Sequence, residues 1–140
     1  MKAVIDIETD SLEPTVIYCA CVKQVGVDEV KTFTSPKGLE TYLSCFDKVI
    51  AHNGLGFDFP TLAKLWDVRI PLSKMHDTLV MSMMEDPARE GGHSLKAWGD
   101  RIGFSKLEYQ GDFSHLTNDL VHYCKQDVRV CEKVYLWLLL

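Results

Sequence analysis

The 140-residue chain has the length of one ordinary domain, and 46% hydrophobic residues suffice for one packed core. A net charge of −5 argues against a protein that holds long duplex DNA by its phosphates, because such domains are usually basic. No apolar run approaches the ~20 residues of a membrane helix, and the opening residues, with Lys2 and then Asp6, do not form a signal peptide.

Residues 2–7 alternate and are rich in Val and Ile, which predicts a strand. A turn over 10–14 leads to a second strand over 16–22. The Gly26-Val27-Asp28 turn then joins it to a third over 29–34. Leu39, Tyr42, Leu43 and Phe46 recur at helical spacing, so 36–46 is read as a helix, followed by a short apolar strand over 48–51. After a loop at 52–56, Asp58 before Phe59-Pro60 reads as an N-cap, and Leu62, Leu65 and Trp66 give the next helix its face. Residues 70–76 read as a loop and a short strand, and Asp77 caps a helix over 78–84. Residues 85–92 (EDPAREGG) are the best candidate for a mobile loop. A helix over 94–101 stops at Gly103, 104–113 is irregular, and a long helix runs over about 116–138. Three turn-connected strands followed by strands and helices in alternation imply an α/β domain: one mixed sheet flanked by helices, with no second domain.

The chemistry concentrates in acids. Asp6 and Glu8, two apart on a strand, share a face with Val4, while Ile5 and Ile7 point the other way. Two adjacent carboxylates repel unless a cation or proton intervenes. A divalent metal answers that repulsion, and so does a strand end running into solvent. On the last helix, Leu120, Cys124, Val130, Cys131, Val134 and Leu138 fall within roughly 60° of Asp127. Lys125, Arg129, Glu132 and Lys133 fall on the far side. Asp127 thus lies inside an apolar stripe and needs a cation or strong donors, since an unpaired buried carboxylate costs several kcal/mol. Tyr123, one turn earlier and about 40° away, reads as core or as a site residue. Asp58 alone is explained as a helix cap. It gains a second reading only as a fourth acid beside the others.

Five cysteines, at 19, 21, 45, 124 and 131, form an odd set without a CxxC pair, which favours reduced thiols inside a cell, in the cytoplasm. Cys19-Ala20-Cys21 reads as strand alternation in preference to a zinc motif. His52 and His76 read as loop hydrogen-bonders and His93 as a helix start. Trp66, Trp98 and Trp137 lie at core spacing, and the apolar end at 137–140 suggests a partner contact.

Asp6-x-Glu8, Asn53-x-x-x-Phe57-Asp58 and Tyr123-x-x-x-Asp127 resemble, in order, the three motifs of the DEDD (DnaQ-like) 3′→5′ exonuclease superfamily, in its tyrosine variant. The run Glu8-Thr9-Asp10-Ser11-Leu12 is similar to the first motif of bacterial proofreading domains. His52-Asn53-Gly54, residues 93–103 and Glu108-Tyr109-x-x-Asp112-Phe113 resemble the exonuclease domains of family A polymerases from T-odd-type phages.

The resemblance implies a ribonuclease-H-like fold with a mixed five-stranded sheet. It also implies hydrolysis of DNA from the 3′ end to nucleoside monophosphates by two metal ions, roughly 3.5–4 Å apart. It assigns Asp6, Glu8 and Asp127 to the metal that activates water, Asp6 also to the second metal, and Asp58 to the support of that ion. Tyr123 would orient the attacking water. Thr9, Leu12, Asn53 and Phe57 would meet the terminal nucleotides, with Leu12 as an apolar wedge. Mg²⁺ or Mn²⁺ suits such an all-oxygen site.

The implied partners are a single-stranded DNA 3′ end and a separately encoded polymerase, because no polymerase sequence follows the third motif. An RNA substrate and a non-enzymatic docking module are the alternatives. His122, five residues before Asp127, is at the spacing of the superfamily's histidine variant, but helical arithmetic turns it about 140° away from Asp127.

Overall fold

A computed structural model describes residues 1–104, 111 and 113–140. The Glu108, Tyr109 and Asp112 positions of the phage-like segment lie outside them. Five strands form one mixed sheet in the order β3-β2-β1-β4-β5. Strand β1 (Lys2–Thr9) pairs antiparallel with β2 (Ile17–Gln24), and β2 with β3 (Val30–Phe33). Short turns suffice for these neighbours. The parallel partners need crossovers: β4 (Lys48–Ala51) returns beside β1 after helix α1 (Leu39–Ser44), and β5 (Met75–Asp77) returns beside β4 after helix α2 (Phe59–Trp66). Helices α3 (Thr78–Glu85), α4 (Leu95–Ile102) and α5 (Asn118–Leu138) complete the chain. The α/β reading with a mixed five-stranded sheet is therefore what the fold shows. The expected boundaries move by one to three residues at helix and strand ends, where regular pairing frays.

Central β1 is covered on both sides, as the alternation requires. Ala3, Ile5 and Ile7 join Leu39, Val49, Phe59 and Leu62 in one core layer. Val4 joins Cys19, Cys21, Ile50, Cys124, Val128, Cys131 and Tyr135 in the other, beneath α5. Fully buried Trp98 packs on Val130 and Val134 and ties α4 to α5, its Nε1 donating to Ser82 Oγ at 2.9 Å. Trp66 is partly buried, but Trp137, near the end of α5, is 41% exposed with its ring 5.0 Å from that of Trp98, so core spacing misplaces that residue. The 85–92 loop is held from two sides: Arg101 Nη2 donates to Glu90 O and Gly92 O, and Arg89 Nη2 donates to Ser82 O.

Helical arithmetic also misplaces Glu132. It is buried, with Oε2 2.6 Å from Lys23 Nζ and accepting the Gly26 amide at 2.9 Å. The buried face of α5 is wider than the stripe around Asp127, because it also carries Val128 and Tyr135. Lys23, inward-facing on β2, supplies the charge that lets an acid sit there. Among the described residues no helix is long and apolar enough to cross a membrane.

Candidate active site

Asp6 and Glu8 stand on the α5 side of β1. Their cross-strand partners on β2 are Cys21 and Cys19. The ladder is interrupted between Glu8 and Thr9, a local irregularity of the kind that re-aims side chains at a sheet margin. Helix α5 lies across β1 and brings Cys124 and buried Asp127 down onto them. Ligand-capable atoms of Asp6, Glu8 and Cys124 lie within 4.8 Å of one another. Cys124 Sγ is 3.6 Å from Asp6 Oδ2.

Burial pushes the Asp6 carboxyl well above the ordinary carboxylate range. The charges of Asp127, Glu8 and Asp58, in that order, push it further. Asp58 is raised to about 8, first by burial, against the opposing pull of the Ile7 amide, with Asp77 and Asp127 adding to the rise. Its Oδ2 is buried and has no hydrogen-bond partner among the described residues. The structure therefore brings the four expected acids into one electrostatic unit. An acid cluster of this kind, with a buried oxygen left over, is stable only with protons or cations in it.

Asp58 reaches this cluster by a route the sequence does not predict. It makes no side-chain cap bond to α2. It ends a π-helical turn, Gly54–Asp58, which feeds directly into that helix, so its backbone is already helical and its side chain is free to face β1. Asn53 opens the turn in the left-handed region at φ 58°. Gly54 must be glycine for packing reasons, because a Cβ there would stand 2.7 Å from both Ala51 Cβ and Phe59 Cε2.

Asp77 holds the turn in place. Its carboxylate caps α3 at Leu79 and Val80 and also accepts the amides of Asn53 at 2.9 Å and Leu55 at 3.1 Å. Sequence reading found only the cap. The second role rests on partners 22–24 residues away and leaves no local signal.

Beside Glu8 a cleft of about 350 Å³ is lined by Thr9, Asp10, Leu12, Phe57 and Phe113 among others, within the size range of small-molecule sites. Leu12 is 90% exposed at its rim. The loop carrying it is pinned by Asp10, whose carboxylate accepts the amides of Thr15 at 2.9 Å and Val16 at 3.1 Å. The bonds from Thr15, its hydroxyl first, lower the Asp10 carboxyl to about 2. Thr9 Oγ1 donates to Ser11 O at 2.9 Å. Asn53 lies at the Asp58 turn and does not line this cleft. Phe113, which the sequence marked only as part of a phage-like run, adds a partly exposed aromatic wall. On α5, Tyr123 is half-buried and His122 is exposed, as their angles to Asp127 require. His52 and His76 bond to Thr78 and Tyr135, and His93 to Ser82.

Sheet order, covering helices and the acids at the β1–α5 junction define a ribonuclease-H-like α/β fold, and the motif-based resemblance to DnaQ-like 3′→5′ exonucleases is borne out by known proteins. No protein-family profile matches the chain. It is similar to the DNA-directed DNA polymerase of Escherichia phage T7, 28% identical over 146 residues, covering 81% of this chain and 21% of the polymerase. The chain thus spans about a fifth of the length of the phage polymerases it matches. In structure it is similar to NrnC of Brucella melitensis, with a TM-score of 0.76 at 18% identity over 98% of this chain and 71% of NrnC. NrnC is also known bound to pGG and with bound Mg²⁺. The family B DNA polymerase of the archaeon Pyrobaculum calidifontis matches with a TM-score of 0.77 at 16% identity, covering 99% of this chain and 24% of that one.

Proposed function

We propose that residues 1–140 form one exonuclease unit that removes nucleoside monophosphates from the 3′ end of single-stranded DNA with Mg²⁺ or Mn²⁺. The observation that carries the reading is the convergence of three further carboxylates, Asp127, Glu8 and Asp58, on the half-buried carboxyl of Asp6. The donor set is rich in carboxylate oxygen, as hard divalent ions prefer, and the leftover Asp58 Oδ2 supplies a further acceptor. A structural relative carries Mg²⁺.

In this reading Asp6, Glu8 and Asp127 hold one ion, and Asp6 and Asp58 serve a second. When bound, the ions supply a water nucleophile at neutral pH and neutralise charge on the phosphate. Tyr123, half-buried one turn before Asp127, orients the water through its hydroxyl. Leu12, Phe57 and Phe113 grip terminal bases in the cleft beside Glu8, and Thr9 and Asn53 contact the nucleotides. The relation to phage polymerases supports a proofreading role for a polymerase, separately encoded or continuous with this unit, in the cytoplasm, the host's if the chain is phage-encoded.

The test is direct. Single-stranded DNA and RNA labelled at the 5′ end are incubated with Mg²⁺, Mn²⁺ or a chelator. A ladder that shortens from the 3′ end only with metal, and is lost in Asp6→Ala, is expected on DNA. Degradation of RNA alone would move the assignment to an exoribonuclease, and no degradation of either polymer would overturn it.

A further inference from the structure

Behind the acids lies a second cluster that the proposed reaction does not use. Cys19 and Cys21 share the inward face of β2, and α5 lowers Cys124 between them. All three are fully buried, and their sulfurs lie within 4.8 Å of one another. None is in a disulfide. Buried cysteines often serve only as small hydrophobes, but three sulfurs meeting at one point is a ligand arrangement. A tetrahedral zinc site with Zn–S near 2.3 Å requires sulfurs about 3.8 Å apart. The cluster therefore needs to close by at most about an ångström to reach that geometry.

Cys124 also belongs to the second ligand triad, with Asp6 and Glu8, and its sulfur lies 3.6 Å from Asp6 Oδ2. Cys124 thus belongs to both the thiol group and the acid group. Adding positive charge beside converging acids is favourable, and soft thiolates select zinc-like ions over magnesium-like ones.

We propose that Cys19, Cys21 and Cys124 form a site for one thiophilic divalent ion of the zinc class, with one lighter donor completing the shell. On binding, each thiol gives its proton to the solvent and its sulfur to the ion. The proposal does not depend on nuclease activity.

Reduced, metal-free protein is titrated with Co²⁺ as a visible reporter and then with Zn²⁺. We expect one equivalent of Co²⁺ to give tetrahedral d–d bands with a thiolate-to-cobalt charge-transfer band, and one equivalent of Zn²⁺ to erase both. X-ray absorption of the zinc form should show three sulfur neighbours and one lighter atom, which tests the wild-type protein without relying on variants. Cys19→Ala, Cys21→Ala and Cys124→Ala, each checked for folding by circular dichroism, should lose the charge-transfer band, and Cys45→Ser should keep it. A zinc shell without sulfur, or persistence of the band in a folded triple alanine variant, would each overturn the proposal.

Discussion

The Asp77 carboxylate accepts the Asn53 amide at 2.9 Å through the same Oδ1 that accepts Leu79 at the start of α3. One buried acid therefore fixes both the helix that follows β5 and the turn that presents Asp58. Replacing it with alanine removes the cap and the anchor of the turn together. Asp77→Ala is expected to cost ~2–4 kcal/mol, combining a lost N-cap with lost bonds to a charged acceptor. Asp77→Asn, which keeps one acceptor oxygen, should cost less. Urea unfolding measures both, and an unchanged midpoint in Asp77→Ala would contradict the anchoring role.

The acid cluster sets a pH dependence whose sign follows from the raised carboxyls. Asp58 titrates at about 8 and Asp6 well above its ordinary range in the folded chain, against ~4 in an unfolded one. Between those limits the folded state binds more protons than the unfolded state. In chelator, stability is therefore fully present below the unfolded value and is lost as pH rises through the folded value. Calorimetry in chelator should show Tm falling from mildly acidic to mildly alkaline pH, and Asp58→Asn should flatten that slope. Mg²⁺ or Mn²⁺ should restore the alkaline Tm, the bound ion adding ~2.7 kcal/mol of stability at a hundredfold excess over Kd. A rising Tm in chelator over the same window would refute the argument.

Much of this fold was legible because the sequence pattern was local. Alternation on β1 assigned Val4, Asp6 and Glu8 to one face and Ile5 and Ile7 to the other, and the two core layers divide in that way. Asp127 stood out because an acid inside an apolar stripe needs compensation. What stayed hidden depends on distant partners. Asp58 looked like a cap because Pro60 follows it, and only the turn held by Asp77 shows why its side chain faces β1 instead. The three thiols come from two elements more than a hundred residues apart in the chain, so no spacing rule could join Cys124 to Cys19 and Cys21.

The two aromatic candidates on α5 are separable by exposure. His122 faces solvent, and Tyr123 is half-buried on the side of Asp127. Tyr123→Phe removes only a hydroxyl, so it should lower kcat by one to two orders of magnitude, about 1.4 kcal/mol per tenfold, with KM little changed. His122→Ala should leave kcat within about twofold, on the same conversion. Steady-state kinetics on a short single strand distinguishes the two. A large loss confined to His122→Ala would assign the role to the histidine.

The cleft beside Glu8 predicts a binding effect without a folding effect. Leu12 is 90% exposed, so Leu12→Ala should change stability by less than about 0.5 kcal/mol, as for ordinary surface positions. Phe113 is 42% exposed and lines the same cleft. If a terminal base rests between these side chains, Phe113→Ala should cost ~1–3 kcal/mol of binding, the usual worth of one base–aromatic stack. The loss should appear chiefly in KM. A KM unchanged in both variants would place the terminal base elsewhere.

Lys23 and Glu132 join β2 to α5 across the layer that carries Asp127. Both side chains are almost withdrawn from water, and Glu132 also holds the Gly26 turn. Removing one partner strands the other charge, so Glu132→Ala is expected to cost ~3–5 kcal/mol. Glu132→Gln keeps an acceptor for the Gly26 amide but leaves Lys23 without a counter-charge, and should fall between. Removing both charges has the opposite logic: Lys23→Met with Glu132→Leu should recover most of the loss, because an apolar pair avoids the desolvation cost. A double-mutant cycle in urea reads the coupling directly. Additive single and double losses would mean that the two charges act independently, and that α5 is held over the acids by its apolar contacts alone.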